Sequence, residues 1–66
     1  MKRFLSPHKA RVENHYGRYF ARQGNGQLWC LPENPTIEAG DTILITIPDP
    51  QDQFCSFIRK APELAD

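Results

Sequence analysis

The chain has 66 residues, 39% of them hydrophobic and 24% charged, with eight Lys/Arg against eight Asp/Glu and a formal net charge of zero. That length allows one domain and burial of only ~60% of the unfolded surface, so the core either just closes or is borrowed from a partner; a homodimer is a further alternative. No run approaches the ~18 apolar residues of a membrane span. The start, Met1-Lys2-Arg3-Phe4-Leu5-Ser6-Pro7, lacks the apolar stretch of a secretory leader, so no membrane is expected and the cytoplasm is the default location.

Residues 1–9 read as a basic, Pro-interrupted, loosely ordered arm. Residues 10–16 start a first strand anchored by Val12, and Gly17 supplies a bend. Arg18 to Leu31 reads as a β-hairpin turned at Gly24-Asn25-Gly26, where positive φ costs little. Period-2 alternation puts Tyr19 and Ala21 on one face and Arg18, Phe20 and Arg22 on the other; on the returning strand Leu28 and Cys30 oppose Trp29 and Leu31. Both faces carry apolar groups, so the pattern leaves open which is core. Pro32-Glu33-Asn34-Pro35 breaks the strand, and Gly40-Asp41 is a turn signal. Thr42 to Ile47 is the strongest strand, with Ile43, Ile45 and Ile47 lining the core face. Pro48 to Gln53 reads as a stiff acidic loop, Phe54 to Arg59 as the last strand, and 61–66 as a short tail in which Pro62 argues against a helix. With no 3.6-residue period over any ten residues, the chain is predicted to be all-β. One domain over residues 10–60 would form an OB-like or SH3-like barrel of four or five short antiparallel strands.

Three segments carry a resemblance: Val12-x-x-His15-x-Gly17-Arg18-Tyr19-Phe20, Asn25-Gly26-x-Leu28-x-Cys30, and Ile37-x-x-Gly40-Asp41-Thr42-Ile43. Over residues 11–47 the chain resembles small bacterial OB-fold domains, namely the N-terminal OB domain of the ribosome-assembly GTPase family and domains like bacterial translation initiation factor one. The resemblance implies a barrel and, by analogy with those families, RNA binding. The loop after the hairpin departs from them in being short, Pro-rich and acidic.

Charge is segregated along the chain. Residues 1–22 carry six Lys/Arg against Glu13 alone, a net +5, whereas 33–52 carry five acids and no Lys or Arg, a net −5. The two halves either pair across the fold or form a dipolar surface. On an OB-like module, bases stack on exposed aromatics while Lys and Arg track phosphates. The candidates for binding RNA or single-stranded DNA are Tyr16, Tyr19, Phe20 and Trp29 with Lys9, Arg11, Arg18 and Arg22; Trp29 and Phe20 could instead face each other as core. The alternative is a protein-binding adaptor or inhibitor, of the kind phages and plasmids encode. It would use Glu33, Glu38, Asp49 and Asp52 against a basic groove, or pair an edge strand with a partner or a second copy. Catalysis is not expected. Cys30 and Cys55 lie in apolar strands where a thiolate is disfavoured, and no nucleophile, base and orienting group are assembled. Without metal-ligand spacing among Cys30, Cys55, His8 and His15, no metal or other cofactor is expected either.

Overall fold

The computed structural model describes residues 6–65. Five strands, β1 (His8–His15), β2 (Arg18–Arg22), β3 (Leu28–Cys30), β4 (Thr42–Asp49) and β5 (Phe54–Lys60), close into a barrel in the order β1-β2-β3-β5-β4. Short 3-10 turns at Pro50–Asp52 and Pro62–Leu64 complete the described chain, and no described helix is long and apolar enough to cross a membrane. The barrel is the expected all-β architecture. One pairing differs from expectation: β3 runs parallel to β5, while the other four pairs are antiparallel.

The core follows from alternation. Ala10 and Val12 of β1, Ala21 of β2, Trp29 of β3, Ile43, Ile45 and Ile47 of β4 and Cys55 of β5 all point inward. Leu31 and Ile37 from the β3–β4 loop join the same cluster, and Tyr19 and Phe57 pack against it. Trp29 is 7% exposed, and its indole N–H donates to Gln23 Oε1 at 2.9 Å, which satisfies the polar atom of a large buried ring. The ambiguous hairpin faces are thereby resolved. Ala21 pairs with Trp29 and Phe20 with Cys30, so Phe20 and Trp29 do not face each other. An alanine opposite the tryptophan leaves room for the indole.

Turns set the registers. His15 pairs with Arg18, so Tyr16-Gly17 is a two-residue hairpin loop. Both residues have positive φ, 57° and 80°, as a type I′ turn requires. The loop between β2 and β3 closes with Gly26 N–H donating to Gln23 O at 2.9 Å. Gly40, at φ 95°, donates its N–H to Val12 O at 2.8 Å and docks the loop before β4 onto β1.

Three boundaries shift from the sequence reading. β1 begins at His8, pairing His8 with Ile45 and Lys9 with Leu44, so these two residues belong to the sheet; residues 1–5 of the expected arm lie outside the described chain. β4 continues through Pro48 to Asp49 across a register shift, the kind of irregularity where a strand tolerates proline. Ala61 is fully buried and donates its N–H to Thr42 O at 2.8 Å, so the barrel extends one residue past β5 before the tail turns.

Candidate functional site

The outward side chains of β1, β2, β3 and β5 form rows across the sheet. Cα register aligns Glu13, Phe20, Cys30 and Phe54 in one row. Arg11, Arg22 and Leu28 form the row on one side, and His15 with Arg18 the row on the other. The sheet thus presents an aromatic band between two basic rows. Phe20 is half-buried and Phe54 is 55% exposed. The His15 ring meets Phe20 edge-on, with centroids 5.5 Å apart and planes at 65°. Between the two phenylalanines lies a cavity of about 330 Å³, lined by Arg18, Tyr19, Phe20, Cys30, Glu33 and Phe54 among others. Its size is at the lower end of ligand pockets, ~300–1,000 Å³.

The electrostatics of the face are set by which cations are already engaged. Glu13 accepts from Arg22 Nε and, at 3.2 Å, from Arg22 Nη2, and its Oε1 lies 2.8 Å from His15 Nε2. Hydrogen bonds from Arg22 and then His15 hold the Glu13 carboxyl down at about 2. Arg22 Nη1 also donates to Gly26 O at 3.1 Å, so this guanidinium braces the β2–β3 turn. Lys9 donates to Leu64 O at 3.2 Å. Arg11 and Arg18 have no ion-pair partner among the described residues. They are the cations of this face available to a ligand.

The sequence-derived residues therefore divide. Phe20, Arg11 and Arg18 share the outer face, with Arg22 beside them as a braced member. Tyr16 sits at the tip of the β1–β2 loop, 103% exposed, in a left-handed conformation that a bulky side chain rarely adopts. Tyr19 is half-buried, packs against the core and contributes to the lining of the cavity. Trp29 is inside the barrel and does not offer a stacking face, which corrects its place among the binding candidates. Lys9, Arg11 and Arg22 line a second cavity of about 280 Å³ with Glu13, Thr42 and Leu64.

The acidic candidates do not act as a block. Glu33 stands on the rim of the aromatic cavity. The Glu38 N–H donates to Asp41 Oδ2 at 2.9 Å within its own turn; this bond, ahead of Lys60 at 3.4 Å, keeps the Asp41 carboxyl below its usual range. Asp52 is exposed in the turn before β5, and the Asp49 side chain lies outside the described set.

Phe54 was missed by sequence reasoning. The signal was present: Cys55 and Phe57 point inward, so period 2 sends Phe54 and Ser56 outward. Cys30 and Cys55 are both free, one facing out and one in. Burial pushes the Cys55 thiol up to about 12, and its Sγ lies 3.4 Å from Cys30 O as a donor. No known protein family, no curated protein and no solved structure matches this chain.

Proposed function

We propose that this chain is a small module for single-stranded nucleic acid, holding the strand across the outer face of β1, β2, β3 and β5. The observation that carries the reading is the in-register row of Phe20, Cys30 and Phe54 flanked by the unpaired Arg11 and Arg18. Two planar rings separated by one strand suit successive bases, and cations on either side suit the phosphates between them. Base–aromatic stacking contributes ~1–3 kcal/mol per base and tolerates any sequence. Strand order adds support by analogy. In OB-type barrels the face of strands two and three, together with the loops joining strands one to two and four to five, receives oligonucleotides. Here Tyr16 occupies the first of those loops and Phe54 directly follows the second.

Two or three phosphate contacts on a chain of zero net charge imply weak, salt-sensitive binding, with a slope of log K against log salt of roughly −1.4 to −2, at about −0.7 per contact. Fluorescence anisotropy with labelled single-stranded DNA and RNA between about 50 and 200 mM salt measures it. Arg18→Ala should flatten the slope by about 0.7. If neither oligomer binds in a salt-sensitive way at low ionic strength, the reading is wrong. Reversing the charge of Asp52 tests the adaptor alternative, since only a basic protein partner would be lost by it.

A further inference from the structure

The cavity between Phe20 and Phe54 is lined by Leu31 and Cys30 as well as the two rings, and carries two charged residues, Arg18 and Glu33. Glu13 is engaged by Arg22 and His15, Asp41 by Lys60, and Glu63 by Arg59 at 2.8 Å, whereas Glu33, Glu38 and Asp52 have no ion pair among the described residues; of these three, Glu33 is the one that lines the aromatic cavity. Glu33 has neither an ion pair nor a hydrogen bond to its side chain among the described residues, although Arg18 lines the same cavity. Its backbone position is well defined. Leu31 N–H donates to Tyr19 O at 3.2 Å just before it, and Asn34 Oδ1 accepts from Thr36 N at 2.9 Å and Thr36 Oγ1 at 2.7 Å just after it. An unpaired acceptor is thus held at the edge of an aromatic slot.

A carboxylate is poorly placed on a surface meant only for phosphates, which it repels. It is well placed to read a base. Ionised, it accepts through two oxygens side by side. Among the four bases only guanine offers two adjacent donors on its Watson–Crick edge, N1–H and N2–H. Adenine and cytosine put a lone pair beside their amino group, and uracil or thymine flanks its one N–H with carbonyls. Single-stranded recognition reads this edge on bases splayed out and stacked on aromatic rings.

We infer that the slot between Phe20 and Phe54 is a guanine-selective subsite, with the Glu33 carboxylate accepting from guanine N1–H and N2–H and Arg18 holding the adjoining phosphate. This rests on the nucleic-acid reading above and sharpens it from a sequence-tolerant surface to one with a preferred base.

The test uses fluorescein-labelled oligothymidylate and the same oligomer with one central guanine, adenine or cytosine, alongside a ribo series built on oligouridylate. The wild-type chain should bind the guanine oligomer about tenfold more tightly than the others, in the range of a good bidentate base contact. The preference should appear in both sugar series, because Glu33 addresses the base. Inosine, which lacks the N2 amino group, should lose most of it, whereas 7-deazaguanine, altered only on the opposite edge, should keep it. Glu33→Gln and Glu33→Ala, both at an exposed loop position and checked for fold by circular dichroism, should bring the four bases within about twofold while leaving thymidylate binding intact or tighter. Salt-sensitive binding with no base preference overturns the guanine assignment and leaves the module reading standing. A preference that survives Glu33→Gln overturns the role of Glu33. Absence of binding to every oligomer overturns the module reading itself.

Discussion

Phe54→Ala separates the proposed surface from the core more cleanly than any other single change. Phe54 is 55% exposed and is the outermost member of the row that runs through Cys30 to Phe20. A buried Phe side chain contributes ~1.5–3 kcal/mol relative to an exposed one, so truncating a ring with under half its surface covered costs about 1 kcal/mol of stability. One lost stacking partner costs ~1–3 kcal/mol of binding, a drop in affinity of about 5- to 150-fold. Trp29→Phe is the counterpart. It removes the indole bond to Gln23 and shrinks a side chain that is 7% exposed, with an expected stability loss of roughly 1–3 kcal/mol. Oligonucleotide affinity of the folded fraction should stay within about twofold, because the ring contacts no ligand. Urea melts give the stabilities and anisotropy titrations the affinities, both on the intact chain. If Phe54→Ala leaves affinity unchanged while the fold persists, the aromatic row is not a stacking platform.

Two further variants concern the residues around that row, Glu13→Gln and Tyr16→Asn. Glu13 has its folded value lowered from 4.5 to about 2, so its contribution to stability is fully present above pH 4.5 and is lost as pH falls toward 2; melting temperature should decline through that window in the wild-type chain and less steeply in Glu13→Gln. The same variant frees Arg22 for phosphate, so its oligonucleotide affinity should rise and its salt slope should steepen by about 0.7; an unchanged slope would mean that Arg22 stays committed to Gly26. Tyr16 holds φ at 57°, so Tyr16→Asn should raise stability by roughly 1 kcal/mol, since Asn tolerates this region far better. That variant should also bind oligonucleotide less tightly, and a variant both more stable and equally tight would show that the tyrosine is not used.

The fold was legible where the chain alternates cleanly. Ile43, Ile45 and Ile47 declared the inner face of β4 on β-branching and period alone, and the Gly40-Asp41 turn marked its start. The hairpin was not legible, because Phe20 and Trp29 are both large and lie on opposite faces of paired strands. What decides between them is the partner: Trp29 sits across from Ala21, whereas Phe20 sits across from Cys30 and beside Glu13. Register is a long-range property, and local pattern does not contain it. The site suffered from the same limit. Its row joins β1, β2, β3 and β5 through a parallel β3–β5 contact between residues 24 positions apart, which is why Phe54 escaped notice and why Glu33, grouped by charge with the acidic half, turned out to border the aromatics. Arg22 looked like a free cation because Glu13, nine residues away, becomes its neighbour only once the β1–β2 register is set.

A chain of 66 residues has little stability to spare, yet among the described residues this one exposes the large apolar side chains of Tyr16, Phe54, Ile58 and Leu64. Phe54 is 55% exposed, and Tyr16 holds a left-handed backbone with a side chain that is fully exposed. Single exposed apolar groups are ordinary on protein surfaces. Tyr16 and Phe54 differ in where they fall, Tyr16 in the loop joining β1 and β2 and Phe54 at the start of β5, beside the sheet face that carries Phe20 and the unpaired Arg11 and Arg18. A ligand that stacked on them would cover the exposed rings and return stability in proportion to its concentration over Kd, as RT ln(1 + [L]/Kd). Ligand-induced stabilisation of the fold is therefore a second readout of the same surface. A guanine-containing oligomer at a hundredfold excess over its Kd should stabilise the wild-type chain by about 2.7 kcal/mol, and should do less for Phe54→Ala at the same concentration. A partner that bound elsewhere would stabilise both chains alike.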